Sequence, residues 1–209
     1  MFFREFVIGY YLKMLEVYRN CRPLVSVILA TFNRADYLKT SIDSVIVQDF
    51  KNWELIIVDD GSTDNTFEIA YHYIEQYENI KYIRHLNKKL SLSKNTGIQA
   101  SVGKYIAFID SDDTYNPDYL IKRVEFMENN PNIDLIEGGA IIIGDPYVKD
   151  KRDLSKKINL SECVIGPTFF GKREVFFQVN GFNKDVFYSE DSEFWERAEL
   201  VFNVQHVDM

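Results

Sequence analysis

A chain of 209 residues with 46% hydrophobic content is long enough to bury one substantial core and too short for two comfortable ones. Its 32 Asp and Glu against 24 Lys and Arg leave a net charge of −8, which disfavours non-specific attraction to nucleic acid and means that phosphates must be recruited locally. Cys21 and Cys163 form neither a disulfide framework nor a zinc pattern, and no apolar run approaches a membrane span, so the reading is a reducing, cytoplasmic protein.

Residues 1–22 carry Arg4, Lys13, Arg19 and Arg22 against Glu5 and Glu16, with Phe6, Tyr10, Met14 and Val17 at helical spacing. The pattern predicts an amphipathic helix and lacks the small-residue cleavage site of a secretory signal. Its apolar stripe has three fates: packing on its own domain, which is the commonest, pairing with a second copy of the chain, or peripheral contact at the inner face of a membrane.

From Leu24 onward, short β-branched runs alternate with segments of helical period, the signature of stacked βαβ units and a mainly parallel sheet flanked by helices. Val25 to Ala30 reads as a strand, followed by a helix with the stripe Leu38, Ile42, Val45 and Ile46. Leu55 to Val58 is the second strand. Ser62, Thr63 and Asp64 offer caps to a helix carrying Phe67, Ala70, Tyr73, Ile74 and Tyr77, and Ile80 to Arg84 reads as a third strand. A helix from about Leu92 to Ser101 leads to the fourth strand, Lys104 to Ile109. Pro117 opens a helix that Asn129-Asn130-Pro131 ends, Ile133 to Ile143 is strand-like, and Asp145 to Leu160 has no period and reads as a mobile basic loop. Glu190-Asp191 precedes a last helix with the stripe Phe194, Trp195, Ala198, Val201 and Phe202.

The chemistry collects where strands end. The fourth strand delivers Asp110-Ser111-Asp112-Asp113, and in extended backbone Asp110 and Asp112 point to one side and Ser111 to the other. Carboxylates held close raise each other's proton affinity unless a cation sits between them, so a Mg²⁺ or Mn²⁺ site with a polyphosphate ligand is one reading. A plainer one, equally good for the cluster alone, is a solvated cap for the following helix. An EF-hand loop does not fit, because Thr114 and Tyr115 stand where it needs a further oxygen ligand and the turn glycine. The second strand ends in Asp59-Asp60-Gly61-Ser62, where Asp-Gly is a turn signal that accounts for Gly61 better than for Asp60. Lys94 and Asn95 lie one turn into the helix before the acidic strand. Asp191 stands at i−3 and i−4 to Phe194 and Trp195, so its carboxylate leans inward, as suits either a general base or a helix cap.

Together, Val25 to Arg34 (with Ala30-Thr31-Phe32-Asn33-Arg34), Ile56 to Asp64, Asp110-Ser111-Asp112-Asp113 and Glu190-Asp191, in this order, resemble the family 2 glycosyltransferases of GT-A fold over about residues 24–208. The resemblance implies a GT-A domain over 23–209 and inverting transfer of a sugar from a nucleotide diphosphate sugar, a UDP-sugar first among them, with Mn²⁺ or Mg²⁺. The acceptor it implies is the hydroxyl of a glycan or lipid-linked sugar, as in polysaccharide biosynthesis. On this sequence Asp60 would contact the base, Asp110 and Ser111 the ribose and phosphates, Asp112 the metal, and Asp191 would be the catalytic base. Thr31, Phe32, Asn33, Lys94 and Glu190 would be further substrate contacts, and Asp113 belongs to the turn.

Two departures stand out. Phe32 replaces a frequent Tyr and Lys94 a frequent Arg, which removes a phenol hydroxyl and a bidentate fork. Relatives usually continue beyond the Glu190-Asp191 helix, so either this chain is a shortened piece or part of the acceptor site comes from elsewhere. A non-catalytic nucleotide-sugar-binding module and a nucleotidyltransferase are the competing classes.

Overall fold

The β-branched runs of the sequence become a single sheet in the computed structural model, which describes residues 22–150, 153, 155–186 and 188–209. Residues 1–21, and with them the expected N-terminal helix, lie outside the described residues. Four parallel strands form one half of the sheet: β1 (Val25–Thr31), β2 (Trp53–Asp59), β3 (Ile80–Arg84) and β4 (Tyr105–Asp110). Three short strands, β5 (Leu135–Glu137), β8 (Phe170–Lys172) and β9 (Val204–His206), extend it in the order β3-β2-β1-β4-β8-β5-β9. Strand β8 runs antiparallel to β4 and β5.

Residue parity along the strands separates two cores, as a pleat with both faces covered requires. Odd-numbered Val27, Leu29, Leu55, Ile57, Ala107 and Ile109 pack with helices α1 (Ala35–Ile46), α2 (Thr66–Ile74) and α4 (Tyr119–Asn129). Even-numbered Ile28, Ile106 and Phe108 pack with α3 (Leu90–Ala100), α5 (Arg173–Gln178) and α6 (Glu190–Ala198). The second core is an aromatic cluster in which Phe182 and Phe194 stack at 4.7 Å and Phe108 meets Phe182 edge-on at 5.5 Å.

Helix α3 lies close enough to β1 that only glycine fits at the crossing. A Cβ on Gly97 would stand 2.4 Å from Ile28 Cγ2. Gly97→Ala is therefore expected to lower stability by about 1–3 kcal/mol through overpacking; an unchanged denaturation midpoint would show that Ile28 yields without cost.

Several expected boundaries shift for physical reasons. The strand-like run from Ile133 keeps only Leu135–Glu137, because Gly138 and Gly139 turn the chain with φ of +112° and +73°. Ile141 and Ile143 are left exposed. The expected loop from Asp145 to Leu160 instead contains a hairpin, β6 (Tyr147–Lys149) with β7 (Lys157–Asn159), whose three-residue strands hold no fully buried side chain and are too short to show an alternation. Strand β4 stops at Asp110, and the Asp113 amide donates to the Asp110 carbonyl at 3.1 Å, so Ser111 and Asp112 sit in a turn and not in extended backbone. The last helix was expected to carry its stripe to Val201 and Phe202 but ends at Ala198; Val201 is exposed, whereas Phe202 still packs against the second core. Among the described residues no helix is long and apolar enough to cross a membrane.

Candidate active site

The parallel register sets three strand ends level. Thr31 lies opposite Asp59 and Ala30 opposite Asp110, so the loops after β1, β2 and β4 open together at the carboxyl edge of the sheet, where ligands of such sheets bind. They enclose a crevice of about 430 Å³ lined by Thr31, Phe32, Asp60, Asp110, Ser111 and Asp112, six of the residues expected to bind donor or metal. Thr31 is buried, and its hydroxyl has no hydrogen-bond partner among the described residues. Such a group costs stability unless a ligand or water completes it. Phe32 is 44% exposed at the rim, a flat ring available for stacking on a base.

Asp60 is buried, and it organises the opposite wall. Its two carboxylate oxygens accept the Lys88 and Lys89 amides at 2.7 and 2.9 Å, with His85 Nδ1 3.3 Å away. A carboxylate has about four acceptor positions, so Asp60 can hold this loop and still accept from a base. Neighbouring Asp59, also buried, accepts from the Ser62 amide at 2.8 Å and from the Tyr82 hydroxyl. Burial and then Asp59 push the Tyr82 phenol well above its usual range. Asn33 is placed differently from the other expected contacts. In the left-handed region at φ +51°, it accepts from the Thr63 amide at 2.8 Å, and its own amide donates to Ser62 Oγ at 2.9 Å. It fastens the β1 loop to the β2 loop and does not line the crevice.

The acidic strand end is short of positive charge. Asp110 continues the even-numbered side of β4, toward α3 and α6, and its carboxyl is pushed up to about 6 by burial, offset by Lys94 and reinforced by Asp113, Asp112 and Glu190. Asp112 is exposed, with Arg34 Nε 3.8 Å away across the crevice. Among the described residues no three Asp, Glu, His or Cys side chains converge as a ready-made metal cage. That donor set fits Mg²⁺ or Mn²⁺, which commonly take one or two carboxylates and complete their shell with substrate phosphates and water.

Helix α3 links this crevice to a second cleft. Lys94 is 2% exposed, lies 4.9 Å over the Phe182 ring and donates to Glu190 Oε1 at 3.0 Å. The next residue clamps the same half of the molecule: Asn95 Nδ2 donates to the Phe182 carbonyl at 2.8 Å, and the Phe182 amide donates to Asn95 Oδ1 at 2.8 Å. Lys94, expected as a substrate contact, thus anchors the first turn of α6. Glu190 and Asp191 line a cleft of about 550 Å³ between that turn and the β6–β7 hairpin. Asp191 Oδ2 accepts the Gly166 amide at 3.1 Å and Oδ1 the Ser192 amide at 2.8 Å.

Gly166 is a site residue that the sequence reading passed over. It opens a 3₁₀ turn, Gly166–Thr168, and a Cβ there would stand 2.9 Å from Asp191 Cβ and 3.4 Å from Lys94 Nζ. The Gly166-Pro167 pair is a turn signal that marks a loop, but nothing in it points to a carboxylate 25 residues later.

A crevice at the carboxyl ends of a mostly parallel sheet, with an acidic strand end and a second carboxylate-bearing cleft beside it, is the architecture of the GT-A glycosyltransferases. The comparisons agree. A family model for Glycosyl transferase family 2 matches residues 26–182, and the chain belongs to that family. It is 40% identical over 134 residues to TuaG of Bacillus subtilis (strain 168), provisionally named a teichuronic acid biosynthesis glycosyltransferase, a match covering 63% of this chain and 53% of that one. The chain spans about half the length of the curated relatives it matches. Among solved structures, S. aureus TarS (residues 1–349) superposes with a TM-score of 0.71 at 22% identity, covering 88% of this chain and 58% of that one. The mannosyltransferase PcManGT from Pyrobaculum calidifontis, determined with GDP-Man and Mn²⁺, superposes with a TM-score of 0.71 at 21% identity over 89% of this chain and 55% of that one. At these identities the likeness establishes the shared GT-A fold.

Proposed function

We propose that residues 23–209 form the catalytic domain of an inverting glycosyltransferase that moves a sugar from a nucleotide diphosphate sugar to the hydroxyl of a glycan or lipid-linked acceptor, in the building of a polysaccharide. The observation that carries this reading is the pairing of two adjoining cavities, a crevice at three strand ends and a cleft holding Asp191, joined through the ion pair of buried Lys94 with partly buried Glu190. One cavity suits a nucleotide and the other an acceptor. Family membership supports the reaction class, and the relatives determined with UDP-GlcNAc and with GDP-Man and Mn²⁺ support the donor class.

Phe32 would stack on the base, Asp60 accept from it, and Thr31 give its unpartnered hydroxyl to the donor. Asp110 and Ser111 would face the ribose and phosphates. Asp112 would hold Mn²⁺ or Mg²⁺, whose positive charge would stabilise a diphosphate leaving group. At the other cavity, the Asp191 carboxylate takes the proton of the acceptor hydroxyl while that oxygen attacks the anomeric carbon. The bond from that carbon to the diphosphate oxygen breaks, and a single displacement inverts the configuration without a covalent enzyme intermediate.

Incubation with labelled UDP-sugars and Mn²⁺ tests the class. Release of nucleoside diphosphate is expected; binding without turnover would mean a binding module, and pyrophosphate released from a nucleoside triphosphate would mean a nucleotidyltransferase. Asp112→Ala is expected to weaken Mn²⁺-dependent nucleotide binding about tenfold or more, through loss of a charged ligand to the metal. Calorimetry showing unchanged affinity would remove Asp112 from the metal site.

A further inference from the structure

The cleft beside Asp191 is larger than one attacking hydroxyl needs. Its volume of about 550 Å³ lies within the usual range for a small-ligand pocket. On the hairpin side Val148, Ile158 and Leu160 offer apolar surface beside Lys149 and Asp150, and Trp195 lines the opposite side. One face of the Trp195 ring is fixed against Phe169, with centroids 5.8 Å apart and planes at 27°. The hairpin is tied to the segment entering α6 by the Tyr188 hydroxyl, which donates to the Lys149 carbonyl at 2.5 Å.

Acidic groups outnumber basic ones among the described residues that line this cleft: Asp150, Glu162, Glu190, Asp191 and Glu196 against Lys149. The Cys163 thiol, part of its lining, is raised above its usual range by burial and then by Asp191, Glu162 and Asp150, all of them negative. Carboxylates accept hydrogen bonds from sugar hydroxyls or from an ammonium group but have nothing to donate to a second carboxylate or a phosphate. An anionic ring would also bring a like charge next to Asp191.

We propose that this cleft holds the terminal sugar of the acceptor and that it takes an uncharged or amino-bearing sugar while discriminating against uronate- and phosphate-bearing ends. The assignment rests on the transferase reading above and adds the chemical class of the acceptor to it. The C–H face of a pyranose packs on Trp195 and the hairpin's apolar side chains, its hydroxyls face Glu162 and Asp191, and one of them becomes the nucleophile.

The test is a binding measurement on the full chain saturated with UDP and Mn²⁺. Disaccharides ending in glucose, glucosamine or glucuronate are titrated while the two indole N–H signals are followed by NMR, with buried Trp53 as the internal reference. The glucose- and glucosamine-ended sugars are expected to shift the Trp195 signal, and the glucuronate-ended sugar to bind about tenfold or more weakly. Glu162→Lys is expected to narrow that ratio about threefold or more with UDP affinity unchanged, since Glu162 is an exposed rim charge. Equal or tighter binding of the glucuronate-ended sugar, binding that leaves the Trp195 signal unmoved, or no binding of any of the three would overturn the proposal. Saccharide binding as expected with no sugar transfer from any donor would overturn the transferase reading alone.

Discussion

Asp191→Asn is expected to bind nucleotide as the wild type does and to lose transfer by a factor of about 10²–10⁴, the span that a positioned general base supplies. The substitution keeps the side chain's size. It also keeps an oxygen for the Gly166 or Ser192 amide, which hold the carboxylate at 3.1 and 2.8 Å. What it removes is the capacity to take a proton. Because Asp191 lines the second cleft and not the crevice proposed for the nucleotide, the loss should appear in kcat for transfer with the donor's dissociation constant unmoved. Wild-type transfer rates in this variant would end the base assignment, and a parallel loss of nucleotide binding would point to a collapsed site.

Lys94→Met is expected to be the most destabilising single change around the site. The ammonium is 2% exposed and pairs with Glu190 at 3.0 Å, so its removal leaves a partly buried carboxylate uncompensated, with Asp110 already crowded by like charges. Breaking a buried pair from one side costs about 3–5 kcal/mol, whereas replacing both partners is often far cheaper. The double change Lys94→Met with Glu190→Gln should therefore recover about 2 kcal/mol or more of the single variant's loss in denaturant unfolding. A single variant as stable as the wild type would mean that the pair is solvated and does not anchor α6.

The first three strands and the helix between β1 and β2 were legible because each is a run of β-branched or periodically apolar residues bounded by turn signals. Strand β3 keeps the expected limits, Ile80–Arg84. Where the reading failed, local pattern and tertiary context disagree. Ile141 and Ile143 look like strand, yet two left-handed glycines before them carry the chain away from the sheet. The strands of the β6–β7 hairpin are three residues each, too short for an alternation to be read. Six of the residues expected to bind donor or metal line one crevice, because they sit at or just past the ends of neighbouring parallel strands. The contacts that organise the rest join residues far apart in the chain: Lys94 meets Glu190 across 96 positions and Asn95 meets Phe182 across 87. No periodicity encodes such a pairing, so the contact of Lys94 on α3 with Glu190 at the start of α6 could not be anticipated from local pattern.

The stereochemistry of sugar release tests the central claim most directly. With Mn²⁺ and α-linked donors such as UDP-glucose and UDP-N-acetylglucosamine, water activated by Asp191 can replace the acceptor, and ¹H NMR at early times reports which anomer forms first. A single displacement predicts the β anomer, with release falling in Asp191→Asn. The α anomer forming first, or release that is indifferent to Asp191, would contradict it.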